Sequence, residues 1–375
     1  MANKTKILKM GELFCGPGGL AKGALLATSA CLGVTSSIVS AWANDNDKDS
    51  CQTYALNMVG DINSEEVICA DAGSLDIASL APIDIFAYGF PCNDFSVVGE
   101  RLGLAGKFGH LYQYGIEVLN LHKPKVVVVE NVAGLSSIGS GKVFAKILQD
   151  IAGAGNGYNL SVHLYKSQDY GVPQTRHRWI IVGIDKKLGL RFKVPAPTHQ
   201  SRPMTVKAAL AGIPQNALNN EPASMTKTVA ERLKYIKPGQ NAWNADLPAN
   251  LKLNVKAAKL SQIYKRLDPD KPAYTITGSG GGGTHGYHHI EPRPLTNRER
   301  ARLQTFPDDF KFIGNYSSVR RQIGMAVPVK LSQVIFTAIL DTLNDKDYSS
   351  VEPNFTFKPK AKSKLTEAGF NLKTV

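Results

Sequence analysis

The run Ile7-Leu8-Lys9-Met10-Gly11-Glu12-Leu13-Phe14 stops at Cys15-Gly16-Pro17-Gly18-Gly19-Leu20, and a helical pattern follows through Leu26. Strand, glycine turn and helix in that order point to an open α/β sheet that binds a ligand at its strand ends. The glycines let a ligand approach the backbone, and the helix start offers free N–H groups. The spacing is not GxGxxG, so it suits a small adenosine cofactor better than a dinucleotide pyrophosphate.

The same layout recurs along the first half. Ser37–Ala43 reads as a second strand ending in Asn44-Asp45-Asn46-Asp47. Asp45 is placed to accept hydrogen bonds from ribose hydroxyls, and Asp47 to cap a helix over 48–57. Val67–Ala70 reads as a third strand, with Asp71 at its end. Asp84–Tyr88 is a fourth, and it must stop at Gly89 because Pro91 cannot continue a central ladder. Cys92 thereby sits on a rigid turn at a strand's carboxyl end. A free cysteine is most often a small hydrophobe, so its setting decides its meaning. Glycines 99, 103 and 106 in the stretch Phe95–Lys107 suit a loop that closes over a substrate.

Leu111–Leu121 reads as a helix and Lys125–Val129 as a buried strand that ends in Glu130-Asn131-Val132. This places a carboxylate beside the edge that carries Cys92. Tyr158–Tyr165 and Trp179–Gly183 complete the strands. Between them, Gln174-Thr175-Arg176-His177-Arg178 puts two arginines on one face of an extended segment, suited to a phosphate or a carbonyl oxygen.

A chain of 375 residues has room for two domains, or for one large domain with an insert. Residues 186–266 carry 15 Lys and Arg against 3 Asp and Glu, so +12 of the net +13 lies in this one segment. Such concentration points to a polyanion, and to nucleic acid above all. No apolar run approaches the ~18 residues of a membrane helix. The start lacks the apolar core of a secretory signal. The five cysteines (15, 31, 51, 69 and 92) show no metal-ligand spacing and read as free thiols in a reducing compartment.

From Pro195 to about Tyr264 the strand–helix alternation ends, and proline, asparagine and lysine become frequent. Lys271–Thr277 reads as a strand, and the glycines at 278–283 as a flexible stretch. His285, His288 and His289 lack a partner acid or cysteine at metal-binding spacing. Thr296-Asn297-Arg298-Glu299 is a capping box that opens a helix through Gln304, on which Arg298, Arg300 and Arg302 are candidates for phosphate contact. Val329–Leu343 reads as a final amphipathic helix that returns to the first domain, and Lys358, Lys360, Lys362 and Lys364 mark a mobile basic tail.

Together the motifs resemble the DNA (cytosine-5) methyltransferase family. The resemblance rests on Phe14–Gly19, Gly89–Ser96, Glu130-Asn131-Val132, Gln174–Arg178, Arg293-Pro294-Leu295-Thr296-Asn297-Arg298-Glu299 and Gly324-Met325-Ala326-Val327-Pro328, six motifs in the family's order. It implies an α/β fold: a Rossmann-like S-adenosylmethionine-dependent methyltransferase sheet with a smaller, mostly irregular or β, target-recognition domain. The implied division is a catalytic domain over 1–190 and 318–345, a recognition domain over 191–317 and a basic tail over 346–375.

By this resemblance the cofactor, S-adenosylmethionine, is held by Phe14, Gly16, Pro17, Gly18, Gly19, Leu20, Asp45, Asn46, Asp71, Ala72, Pro91, Met325, Ala326 and Val327. Cys92 is the implied nucleophile, and Glu130, Arg176 and Arg178 hold the target pyrimidine. No metal is implied. The implied partner is double-stranded DNA, with a cognate restriction endonuclease acting separately, and the implied state is a cytoplasmic monomer of bacterial or phage origin. Two positions depart from the family pattern: Phe108 replaces an arginine after the loop, and Met325 replaces an asparagine before Ala326. An RNA-directed enzyme of the same family and a catalytically silent DNA-binding protein remain as alternatives.

Overall fold

A computed structural model describes residues 4–91, 111–254, 261–278, 282–284 and 286–359. The first half runs β1 (Lys4–Leu13), α1 (Gly19–Leu25), β2 (Thr28–Cys31), β3 (Val34–Asp45), α2 (Lys48–Tyr54), β4 (Val67–Cys69), β5 (Ile85–Tyr88), α3 (Tyr112–His122), β6 (Val126–Val132), α4 (Lys142–Gly153), β7 (Tyr158–Lys166), β8 (Gln174–Thr175) and β9 (His177–Asp185). The main sheet has the order β2-β3-β1-β5-β6-β9-β7, with β4 also paired to β3. The pairs among β1, β3, β4, β5 and β6 are parallel, while β2, β9 and β7 run antiparallel to their neighbours.

The centre of the sheet is parallel because its strands are apolar on both faces. Every residue of β5 and the first four of β6 are buried. One face packs Leu8, Met10, Ala87 and Val128 against α1 and α9 (Val329–Leu343). The other packs Phe86, Val127 and Val129 against α3 and α4. The last helix returns to the sheet of the first half, as its pattern predicts, and Ser332 Oγ donates to Leu20 O at 2.6 Å.

The hairpin joining β2 to β3 has Gly33 as its turn residue, with Leu32 where Asn or Asp is usual. Leu32 and Gly33 adopt φ of 47° and 78°, the paired left-handed turn usually built from Asn-Gly. The helix predicted over 48–57 begins as expected, with the Asp47 side chain accepting from Ser50 N. It widens to a π-helix at Ala55–Val59, where Asn57 exchanges two hydrogen bonds with the Lys311 backbone.

The second half is built of short pieces: β10 (Val194–Pro195), α5 (Val206–Leu210), α6 (Lys227–Tyr235), β11 (Ala273–Tyr274), α7 (Asn297–Leu303) and α8 (Tyr316–Met325). The strand predicted over 271–277 shrinks to β11, which pairs in parallel with β8. Small apolar clusters hold this region together, one of them formed by Val206, Leu267, Ile276, Leu295 and Leu303.

Several basic residues have structural roles instead of the expected phosphate contacts. Arg266 is buried and donates to the carbonyls of Ile236, His288, His289 and Ile290. Arg232 donates to Leu251 O and lies over the Tyr264 ring. The capping box at Thr296 and Glu299 is present, but Arg298 and Arg300 point inward, and Arg302 binds Asp308 and the backbone around Ala211. Every residue of α7 except Arg302 is buried, so the helix is enclosed on nearly all sides and its arginines bond to protein groups.

The stretch expected to be a tail is docked over its first half. β12 (Ser350–Val351) pairs with β10. Phe355 packs 5.2 Å from Phe144 and 5.7 Å from Trp179, between ring centroids. Asn354 bonds both the N–H and the C=O of Leu164 on the edge strand β7. Lys358 is exposed, and Lys360, Lys362 and Lys364 lie outside the described residues. Within Tyr316–Leu343 a run of 18 residues is apolar enough to match a membrane span by composition, but 72% of it is buried inside the protein, as in the core helix of a globular fold.

Candidate active site

The carboxyl ends of β1, β3, β4, β5 and β6 meet on one edge of the sheet. At β1, Phe14 and Gly16 take left-handed φ of 56° and 52°, which folds the chain sharply out of the strand. The Asp45 carboxylate at the end of β3 holds that turn. One oxygen accepts from Gly16 N at 2.9 Å and the other from Asp47 N at 2.9 Å. Burial raises the Asp45 pKa, and these N–H groups oppose the rise. Asn44 bridges to β4 through Ile68 O and Ala70 O. Asp71 then caps the turn at Ala72–Ser74 by accepting from Gly73 N. On the far side of the glycine turn, Val327 O and the Ala326 side chain press on Gly19 so closely that no Cβ would fit. A Cβ at Gly16 would meet nothing within 4 Å, so the turn opens on free space there.

One residue at this edge escaped the sequence reading. Glu12, on β1 beneath the turn, is 2% exposed, and burial pushes its carboxyl well above the usual range. The Tyr54 hydroxyl bonds the carboxyl, yet Oε2 has no partner. A lone acid inside an apolar strand was the available signal, since such a group is costly to bury without a purpose.

The second half of the edge lies at β5 and β6. Phe90 is buried beside Tyr88 and Tyr112, with ring centroids 5.9 and 6.1 Å away. Asn131 Nδ2 donates to Phe90 O at 3.2 Å and ties the turn leading to Pro91 onto β6. Glu130 and Arg178 lie on one face of the β6–β9 pair, where Glu130 is opposite Ile180 and Val132 opposite Arg178. Arg178 Nε meets Glu130 Oε1 at 2.8 Å. Gly89 borders them, and a Cβ there would stand 3.1 Å from Glu130 Oε2. Cys92, the loop to Lys107 and Phe108 lie outside the described residues.

Residues 8–341 match the family model of the C-5 cytosine-specific DNA methylases. The chain belongs to that family. This methylase is 51% identical to the Type II methyltransferase M.BbvI of Brevibacillus brevis over 366 residues, 96% of this chain and 98% of the relative. It is 38% identical to the Type II methyltransferase M.NgoFVII of Neisseria gonorrhoeae, over 94% of this chain and 90% of the relative. Its fold is similar to the crystal structure of a putative DNA modification methyltransferase encoded within an Escherichia coli prophage. That likeness has a TM-score of 0.68 at 22% identity and covers 90% of this chain and 99% of the other. The methylase is thus a DNA (cytosine-5)-methyltransferase.

Arg176 of the methylase departs from the expected arginine pair. The extended segment breaks between β8 and β9, which belong to different sheets. Arg176 is 2% exposed, and its guanidinium donates to Ile276 O at 3.1 Å and Met325 O at 3.4 Å. Arg178 alone reaches Glu130. Met325 is exposed at the end of α8, so its side chain borders the edge instead of filling the core. His288 is buried, and its Nδ1 accepts from Ile290 N and Glu291 N. Burial lowers its pKa to about 4. Among the described residues no three His, Cys, Asp or Glu side chains form a metal-binding group.

Proposed function

We propose that the methylase transfers a methyl group from S-adenosylmethionine to C5 of a cytosine turned out of duplex DNA, through a covalent bond between Cys92 and C6. The Glu130–Arg178 pair carries this reading, because it stands on the sheet edge shared with the glycine turn and borders Gly89 at the start of the segment leading to Cys92.

The residues at the first half of the edge fit the cofactor. Asp45 offers a carboxylate at the open turn of Gly16, Asp71 offers one just beyond the end of β4, and Glu12 holds an unpartnered buried oxygen. Carboxylates at successive strand ends suit a ligand with ribose hydroxyls, which donate to them. In this reading Phe14, Pro17–Leu20, Asn46, Ala72, Pro91 and Met325–Val327 complete the pocket. When bound, S-adenosylmethionine supplies an electrophilic methyl on a sulfonium.

Cytosine C5 is a poor nucleophile until a thiolate adds at C6. The Cys92 thiolate forms the C6–S bond, and the ring electrons move onto C5 while Glu130 supports N3 with a proton. Arg178 orients Glu130 and offers N–H donors to the ring. C5 takes up the methyl as the S–CH3 bond breaks, which leaves S-adenosylhomocysteine; water accepts the C5 proton, N3 returns its proton to Glu130, and the C6–S bond breaks to return the thiolate. The atom attacked is hidden inside a duplex, so the base must leave the stack. The exposed lysines of the 186–254 segment supply phosphate contacts. The cellular role is modification of host DNA in the cytoplasm beside a separately acting endonuclease, with the methylase acting as a monomer.

Methyl transfer from labelled cofactor to duplex DNA, with transfer RNA as the competing acceptor, tests the substrate. A stable adduct with 5-fluorocytosine duplex, absent in Cys92→Ala, is the expected covalent signature. Transfer to RNA alone, or an adduct that survives in Cys92→Ala, would overturn the proposal.

A further inference from the structure

Three fully enclosed polar side chains lie between the two halves of the active edge. Gln174 and Gln304 are 0% exposed and Arg176 is 2% exposed. Gln174 Oε1 accepts from Ile276 N at 2.8 Å, and Arg176 donates to Ile276 O at 3.1 Å, so one residue just after β11 is gripped at both its backbone groups. Gln174 Nε2 donates to Gln304 Oε1 at 3.0 Å. Gln304 Nε2 in turn donates to Ile323 O at 2.7 Å and Ala326 O at 3.2 Å. Arg176 also reaches Met325 O.

The two ends of this cluster lie at different sites. On one side, Met325 and Ala326 lead into Val327, whose carbonyl presses on Gly19 of the glycine turn. On the other, β8 leads into β9 and Arg178, while Ile276 leads to Gly278, whose backbone lies hard against Gly324. The contacts are backbone on backbone at both ends, leaving little slack. A shift at Gly324 passes directly to Thr277 and Gly278, and the Met325 and Ala326 carbonyls are tied to Ile276 and β8 through buried side chains with little room to rotate. Buried amide and guanidinium groups hold such positions by direction as well as distance.

We propose that Gln174, Arg176 and Gln304 form a coupling joint through which cofactor binding and target-DNA binding favour each other, and that Arg176 is a positioning residue that never touches the base. The proposal rests on the reading of the two sites given above. Coupling between sites is reciprocal and is measured as a ratio of affinities.

The test is calorimetric titration with S-adenosylhomocysteine, with and without a duplex bearing the methylated site mapped by bisulfite sequencing. Wild type should bind the cofactor product about tenfold more tightly when duplex is present, within the usual ~5–150-fold range of such coupling. Arg176→Lys should keep both separate affinities within about threefold and lower the coupling ratio toward one. An Arg176→Lys enzyme with undiminished coupling but weakened duplex binding overturns the proposal, because that is the signature of a base-contacting arginine.

Wild-type hydrogen exchange gives a second measurement that needs no variant. S-Adenosylhomocysteine alone should slow exchange in the 273–278 segment, which contributes nothing to the cofactor pocket. Unchanged exchange there overturns the joint. Wild type that binds the product without coupling sinks this inference alone, and wild type that does not bind it sinks the functional reading as well.

Discussion

Arg178 and Glu130 face each other across neighbouring strands at 2.8 Å, and each keeps only 13% of its side-chain surface open. A pair so enclosed is ordered before any ligand arrives. Glu130→Gln keeps the shape but removes the carboxyl group that exchanges a proton with N3, so methyl transfer should fall by ~10²–10⁴ in single turnover. The melting temperature should stay close to wild type. Glu130→Ala leaves Arg178 Nε without the acceptor that the Gln amide oxygen would still offer. Breaking a fully buried pair costs about 3–5 kcal/mol, and the remaining exposure makes the loss smaller here. Equal activity in Glu130→Gln and wild type would remove Glu130 from the chemistry.

Glu12 should leave a mark on stability against pH. Burial raises its folded pKa above the unfolded value, so the folded state holds a proton that the unfolded state releases. Stability from this group is greatest below the ordinary carboxyl range near ~4.3 and declines as pH rises toward the folded value. Glu12→Gln carries no titrating proton, so its stability should decline less over that window. Denaturant midpoints of both proteins at several pH values check this, and parallel curves would refute it.

Gly324 on α8 has no space for a side chain, since a Cβ there would run into the backbone of Thr277 and Gly278. Gly324→Ala must push the two segments apart, at an overpacking cost of ~1–3 kcal/mol. The expected outcome is a lower melting temperature together with weaker duplex binding, because the displaced segment leads into the recognition region. An unchanged melting temperature would show that the segment yields freely.

The end of the chain should divide into a structural part and a dispensable part. Truncation after residue 359 keeps Asn354 and Phe355 in place and should leave stability unchanged. Truncation after 345 also removes Phe355 from Phe144 and Trp179, and Asn354 from the edge strand β7. Loss of one largely buried aromatic is worth about 1.5–3 kcal/mol, and the exposed edge invites aggregation. Comparing melting temperature and light scattering of the two truncations decides the point.

Local patterns carried most of the frame. The apolar runs at 7–14, 85–88 and 126–129 and the amphipathic run at 329–343 are each long enough to dictate an element without outside help. The glycine turn, Asp45, Asp47 and the Thr296 capping box follow from short-range hydrogen bonding, so they were readable in place. What the sequence could not supply was direction. Arg178 and Arg176 look alike two residues apart, yet one meets Glu130 and the other is closed in by Ile276 and Met325, residues 100 and 149 positions away. Arg232, Arg266 and Arg298 count as positive charge in the composition but are internal braces in the fold. Phe355 belongs to a core begun at Phe144. A side chain's charge is written in its own codon, whereas burial depends on which distant backbone carbonyls the folded chain brings within hydrogen-bonding reach, and that only the tertiary structure decided.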